Sequence, residues 1–408
     1  MLLLYDLGIR VYSVLAFILS FFNKKAKAWV NGRADQTIVP MDNCTWYHFA
    51  SLGEFEQGRP VIEMYKSRNP EVKVVITFFS PSGYEIRKNS PLADHVYYLP
   101  SDTGSNARHF IDIINPTAAV FTKYEYWYHY FDELHKRNIP IYMISAIFQR
   151  RQAFFKWYGG LHRKMLKMVR YFYVQDFHSI ELLNSLGITN ATVSGDTRFD
   201  RVWANAGDPN FIPEVEYFKN GQKLVVAGST WPEGEKLLAA IINDYPDWKW
   251  VFAPHEVTAQ HIEDLKAMLP AEGTICFSKL PQNKLKIAEY RILILDNVGM
   301  LSSIYQYGDL AYIGGGFGRG IHNILEAGAF GLPVIFGPNY QAFKEAKDVV
   351  ALGAGISVSN TEELKSAADK FMTDDAERLR AGKIMKDYVK QNTGATEKIF
   401  NSIRNTDQ

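Results

Sequence analysis

Two stretches of this chain carry residue types spaced for chemistry: Ser51-Leu52-Gly53-Glu54, and Gly314-Gly315-Gly316-Phe317-Gly318-Arg319-Gly320-Ile321-His322-Asn323-Ile324-Leu325-Glu326. The five glycines of the second let the backbone turn sharply and approach a ligand without Cβ obstruction. His322 and Asn323 fall where a helix should begin, and a helix start offers free N–H donors and the positive end of a dipole. Apolar runs at Leu310–Ile313 and Val334–Phe336 flank the loop, the second leading into Gly337-Pro338. Strand, glycine loop, helix and strand describe an anion-binding crossover. No register fits G-x-G-x-x-G, so the expected ligand is phosphorylated but is not NAD. Glu54 would open the helix after an earlier strand. Two readings stay open there: a general base, or a first-turn acid stabilised by the helix dipole by roughly 0.3–1 kcal/mol.

Other polar residues cluster where apolar runs end. Ser80-Pro81-Ser82-Gly83 is a turn able to present N–H groups, and Lys123-Tyr124-Glu125-Tyr126-Trp127 sets an acid among aromatics. Glu125 suits sugar hydroxyls, or it is an ion-pair partner for Lys123. Gly228-Ser229-Thr230-Trp231-Pro232 reads as a helix start with Ser229 or Thr230 as N-cap and a proline in the first turn. Pro254-His255-Glu256 and Asp296-Asn297-Val298-Gly299 are two further polar exits. Their convergence on one rim would make a nucleotide site. Asn323 and Glu326 have capping-pair spacing, and the glutamate is equally placed to accept from ribose hydroxyls.

The elements that must position these residues are strands and helices in alternation. Strand-like runs fall at 44–50, 73–79, 95–99, 118–124, 139–145, 171–174 and 191–194, and again at 223–227, 249–253, 274–277, 292–295, 310–313 and 334–336. Continuous apolar strands separated by helical segments indicate parallel sheets covered on both faces. Ligands of such sheets gather beyond the carboxyl ends of the strands. The expectation is an α/β chain of two doubly wound, Rossmann-like domains facing a cleft. The first spans 29–204 and the second 221–375, with a Pro-, Gly- and Asn-rich linker at 205–220. Helices over 376–408 are expected to cross back to the first domain.

The chain has 408 residues, 47% of them apolar, and a formal net charge of +1. This balance carries no nucleic-acid footprint. Cys44 and Cys276 lie far apart in apolar runs and read as buried, reduced thiols. Cysteine and histidine spacing shows no zinc pattern, and no Asp-x-Asp pair stands at a strand exit, so neither metal nor cofactor is expected. Residues 1–28 read as a membrane-associated helix. The uninterrupted apolar part, Val11 to Phe22, is shorter than the roughly 20 residues a spanning helix needs. Lys24, Lys25 and Lys27 follow it and suit lipid phosphates. Aromatic and basic residues interleave over 148–172, which fits an interfacial surface meeting anionic lipid or a solvated basic helix face.

Taken in order, Ala50-Ser51-Leu52-Gly53-Glu54, Gly228-Ser229-Thr230, Asp296-Asn297-Val298-Gly299, the glycine loop with its His322-Asn323-x-Leu325-Glu326 signature, and Phe336-Gly337-Pro338 resemble the 3-deoxy-D-manno-octulosonic acid (Kdo) transferases. The resemblance covers nearly the whole chain. It implies a GT-B fold, CMP-Kdo as donor, a lipid A precursor as acceptor, and a place on the cytoplasmic face of the inner membrane. By motif match it implies Glu54 as general base of an inverting transfer, with Glu125 and the turn at Ser82 on the acceptor side. Ser229, Thr230, His255, Asn323 and Glu326 would contact CMP. Gly228, Asn297, Gly299, Gly315, Gly316, Gly318, Gly320 and His322 would complete the donor side. Anionic membrane lipid is an expected partner; nucleic acid and an obligatory protein partner are not. The sequence departs from the family pattern at Ile321, at Asn297-Val298-Gly299-Met300-Leu301, and at Trp231-Pro232, which bears on the cytidine contacts. The competing readings are another GT-B enzyme using a UDP-sugar, and a membrane-associated nucleotide-binding protein without catalysis.

Overall fold

The computed structural model describes residues 1–280 and 284–406, with no account of the side chains at 284 and 404–406. The chain forms two compact units, Met1–Arg201 with Thr393–Gln408, and Val202–Asn392.

The first unit is built on β1 (Cys44–Phe49), β2 (Lys73–Phe78), β3 (His95–Tyr98), β4 (Pro116–Thr122), β5 (Ile141–Ala146), β6 (Tyr171–Val174) and β7 (Ala191–Val193). All pair in parallel, in the order β3-β2-β1-β4-β5-β6-β7. Because successive side chains point to opposite faces, Cys44 and Trp46 of β1 join one core cluster while Tyr47 and Phe49 join the other. Both faces are covered, which is why the strands read as unbroken apolar runs. Three helices matter most here: α1 (Leu2–Leu19), α2 (Lys24–Asp35) and α3 (Leu52–Arg68). The helix Ala395–Thr406 closes the second face, burying Ile399 and Ile403 in that cluster. The Asp200 carboxylate fixes its start, accepting from the N–H of Gly394 and from the N–H and hydroxyl of Thr396.

The second unit holds β8 (Lys223–Thr230), β9 (Trp248–Pro254), β10 (Thr274–Cys276), β11 (Ile292–Ile294), β12 (Leu310–Ile313), β13 (Val334–Phe336) and β14 (Gly355–Ser357). It is again parallel throughout, in the order β10-β11-β9-β8-β12-β13-β14. In each sheet the winding reverses once, between β1 and β4 and between β8 and β12. Open parallel sheets bind ligands beyond the carboxyl ends of the strands at such a reversal.

Two boundaries differ from the sequence reading. Residues 213–219, inside the stretch read as a linker, form a helix whose Val215 and Phe218 are fully buried. Helix Asp375–Gln391 stays in the second unit, and only the chain from Thr393 belongs with the first. The last two residues of the 376–408 segment lie outside the described residues.

The N-terminal helix extends further than its apolar core, because Asp6 and Arg10 lie within it. At 18 residues with mean hydropathy 1.8 and none of it buried, it is long and apolar enough to cross a membrane. Its polar residues have local partners. Asp6 meets the His129 imidazole at 2.6 Å, and the Tyr5 hydroxyl donates to Asp102. These contacts hold one flank against the first unit, while Leu3, Leu4, Leu7, Val14 and Ile18 stand exposed. The 148–172 stretch is divided as well. Phe148 and Phe154 belong to the core rather than to a surface, whereas Trp157 is 91% exposed and Arg150 and Arg151 are exposed beside it in the chain. Both cysteines are buried and free, and burial pushes the Cys44 thiol up to about 12.

Candidate active site

In the first unit the candidate residues flank the β1/β4 reversal. Glu54 lies in the first turn of α3, directly after β1. Ser51 is the N-cap residue but makes no capping bond to the backbone. Its hydroxyl instead donates to Glu54 Oε2, which fixes the carboxylate and leaves Oε1 to receive a proton. Glu125 follows β4. Its Oε2 receives the Trp127 indole N–H at 3.0 Å and lies 3.2 Å from His48 Nε2. Lys123, two residues before Glu125, has the left-handed φ of 63°. Ser145, at the end of β5, has φ 49°. Non-glycine residues held in that region collect at functional sites, and both of these stand at carboxyl strand ends. Ser82 is exposed in the first turn of helix Pro81–Arg87, where its N–H donates to the Ser80 hydroxyl.

His48 went unnoticed in the sequence and is the main addition on this side. It is fully buried on the face shared with Cys44 and Trp46. Its Nδ1 lies 2.8 Å from the Thr77 hydroxyl, which also accepts the Trp46 indole N–H at 2.8 Å. A chain of polar contacts thus runs from the core through His48 to Glu125. Tyr124 is a second neighbour. Burial first, and then Glu54, raise its phenol above the ordinary range, while Arg151 and Arg198 oppose the shift. Glu54 and those two arginines thus have Tyr124 as a common neighbour.

In the second unit the candidates flank the β8/β12 reversal. Ser229 takes φ 51° at a register shift in β8. The expected capping role belongs to neither Ser229 nor Thr230: Trp231 is the N-cap residue and caps with no side-chain bond. The Thr230 hydroxyl donates instead to the buried carboxylate of Glu235 at 2.6 Å, which also meets His261 at 2.9 Å. The glycine loop folds on itself. His322 N donates to Gly314 O at 3.0 Å, and Asn339 N donates to Gly316 O at 2.9 Å. Gly315 has φ 89°, and a Cβ there would meet the Gly320 carbonyl at 2.5 Å. Much of the glycine requirement is thus backbone packing against backbone. Gly316 meets the same condition against Gly337, and Gly228 lies under the Tyr305 hydroxyl.

The helix after the loop starts later than expected, at Leu325, and has five residues. Asn323 Oδ1 receives Leu325 N at 3.1 Å, and its amide donates to Glu326 Oε1 at 3.1 Å. So short a helix offers little dipole, and the loop itself must supply the anion-binding character. Beside the loop is a cavity of about 500 Å³ whose walls include Trp231, Glu233, Phe317, Gly318, Arg319 and His322. Gly314, Gly315 and Gly320, with Gly234 and Tyr312, complete it. Asn297 and Gly299 follow β11 at the same edge of the sheet but do not line it; Asn297 bonds Met300 Sδ and Gly299 turns with φ 92°.

Trp231, one of the departures from the family pattern, has a definite place. Its indole N–H donates to His322 Nε2 at 3.0 Å, and its ring stacks on His255 at 5.1 Å. His255 stacks in turn on His322 at 4.2 Å. The bond requires a lone pair on His322 Nε2, so the neutral imidazole carries its proton on Nδ1. Burial, and then His255, bring the His322 pKa down to about 4. The sign follows directly. Below its ordinary pKa the unfolded imidazole binds a proton that the folded one refuses until about pH 4, so stability falls on acidification through that window. Chemical denaturation at pH 7 and pH 4.5 should show a larger loss for the wild type than for His322→Gln, and equal losses would contradict the assignment.

Relatives agree with this architecture. A family model described as 3-deoxy-D-manno-octulosonic-acid transferase (kdotransferase) matches residues 22–201. A 3-deoxy-D-manno-octulosonic acid transferase of Rickettsia bellii is 27% identical over 87% of this chain and 86% of its own length. Enzymes of the same name from Haemophilus influenzae (24% identity; 88% and 86% covered) and Aquifex aeolicus (26%; 82% and 88%) are similarly related. Among solved structures, UDP-GlcNAc 2-epimerase from Neisseria meningitidis superposes with TM-score 0.62 at 15% identity, over 90% of this chain and all of that one. Acinetobacter baumannii MurG does so with TM-score 0.56 at 11% identity, over 89% and 99%. These two are likenesses of fold.

Two parallel, doubly wound units, with candidate groups at both winding reversals and these relatives, define a glycosyltransferase of the GT-B-like class. Within that class the chain is similar to the Kdo transferases, through the family model over residues 22–201 and through relatives at 24–27% identity.

Proposed function

We propose that the chain transfers Kdo from CMP-Kdo to a lipid A precursor in lipopolysaccharide synthesis, with inversion at the anomeric carbon. The observation that carries this reading is Glu54 beside the β1/β4 reversal, oriented by Ser51, in a chain similar to the Kdo transferases. Glu54 takes the proton of an acceptor hydroxyl as that oxygen attacks the anomeric carbon. The bond from that carbon to the CMP phosphate oxygen breaks, and CMP leaves as an anion. Glu125, held by Trp127 and His48, binds the acceptor beside it. On the donor side, the glycine loop with Ser229, Thr230, His255, Asn323 and Glu326 receives CMP. Arg319, a cation lining the loop cavity, suits the phosphate. Fixed dipoles of this kind usually supply the largest electrostatic contribution to catalysis. The mechanism invokes no metal, since no Asp-x-Asp pair stands at a strand exit. The exposed apolar face of α1 supports a site at the membrane, which we read as the cytoplasmic side of the inner membrane, with anionic lipid as neighbour.

Donor choice is tested by thermal denaturation with nucleotides. CMP should raise the midpoint of the full chain, and UMP or UDP at equal concentration should leave it unchanged. Stabilisation by UDP alone would favour the UDP-sugar alternative.

A further inference from the structure

Between the N-terminal helices and the first sheet lies a second cavity, of about 230 Å³. Ile9, Tyr12 and Ser13 of α1 form one side, Trp29 of α2 another, and Phe79 and Trp127, from the chain just past β2 and β4, the rest. The rings interlock. Tyr12 meets Trp29 edge-on at 5.5 Å, Trp29 meets Phe79 at 5.9 Å, and Phe79 stacks on Trp127 at 5.1 Å. Ser101 and Asp102 also reach the wall. The Asp102 oxygens are engaged by the Tyr5 hydroxyl and by the N–H groups of His129 and Tyr130. The lining is therefore aromatic, and its one carboxylate is already satisfied.

We infer that this cavity receives an acyl chain of the acceptor lipid, a subsite that rests on the lipid-acceptor reading proposed above. Three observations converge. Tyr12 of the α1 wall is itself 48% exposed and lies on one flank with the exposed Leu15 and Leu19, three and seven residues on, so a chain leaving a bilayer enters along an apolar flank. The opposite wall is Trp127, whose indole N–H donates to Glu125 at 3.0 Å, so an occupant lies one side chain from the candidate acceptor-binding carboxylate. That proximity favours a substrate chain over a structural bilayer lipid. Finally, Trp29 is only 9% exposed, and its indole N–H has no acceptor among the described residues. A buried donor is rarely left unpaired, and an acyl carbonyl supplies the missing acceptor while the methylenes contact the rings. Each methylene so buried should tighten binding about fourfold.

The test compares the full-length protein with Ser13→Phe, which fills the cavity, and Trp29→Phe, which keeps the ring and removes the donor. For Ser13→Phe, KM for the acylated precursor should rise at least tenfold more than KM for the same disaccharide without acyl chains. Trp29→Phe should show the same bias at about fivefold, the value of one hydrogen bond. Equal effects on both acceptors, or none on either, would overturn the subsite. Binding is read separately, without donor, by quenching of tryptophan fluorescence with an acceptor whose chains carry bromine. Quenching in the wild type that Ser13→Phe abolishes supports the cavity even where no transfer occurs, and transfer failing alone counts against the proposed reaction. No difference in quenching between the two proteins, or equal quenching by a brominated phospholipid, overturns the inference.

Discussion

Gly314→Ala will destabilise the second unit by about 3 kcal/mol or more, at the upper end of what overpacking costs. A Cβ at Gly314 would stand 1.9 Å from the Ser229 carbonyl oxygen and 2.8 Å from Thr230 Cα. Both obstacles are backbone, so no rotamer change relieves them. The surroundings are also fixed: Gly314 N donates to Gly228 O at 2.9 Å, and Ser229 already holds a left-handed φ. Loss of CMP binding should accompany the loss of stability, because Gly314 itself forms part of the wall of the loop cavity. Gly318→Ala is the control. Its Cβ would lie 3.6 Å from the nearest atom, an ordinary contact, so stability should stay within about 0.5 kcal/mol. Denaturant midpoints of the two variants decide the matter. An unchanged midpoint for Gly314→Ala would mean that the loop is not packed against β8 as described.

The second large effect concerns the base. Glu54→Gln keeps the shape of the side chain and its bond from Ser51, and removes proton acceptance. The turnover rate should fall about 10²–10⁴-fold, the usual contribution of one positioned base, or roughly 2.7–5.4 kcal/mol in the barrier. Affinity for CMP should not change, since Glu54 belongs to the first unit and the nucleotide groups to the second. A variant that folds, binds CMP and turns over at the wild-type rate would reject Glu54 as base and leave it as a helix N-terminal acid.

Much of the architecture was legible because strands buried on both faces must be apolar throughout. The thirteen apolar runs all became strands, with ends shifted by at most three residues. The fourteenth, Gly355–Ser357, is a three-residue edge strand with glycine and serine in it, and offers no such run. The helix Pro213–Lys219 hid behind residues that usually mark a linker. Pro213 occupies its first position and Asn220 ends it in the left-handed region. Glu54 and Glu125 could be read from strand exits. His48 could not, since one histidine in a strand looks like any other residue there. Its signal was periodicity, which sets it on the face of Cys44 and Trp46, where a ring nitrogen needs partners. The stack of Trp231, His255 and His322 was invisible for a different reason: its hydrogen-bonded ends lie 91 residues apart in sequence, and only the sheet brings them together.

The reaction itself is the central claim, and mass spectrometry of its product tests it most directly. Purified protein supplied with CMP-Kdo and a lipid A precursor should convert the precursor to a species heavier by one or more Kdo residues, with CMP released. Glu54→Gln should form little of it in the same time. Product formed only with a UDP-sugar, and none with CMP-Kdo, would contradict the account.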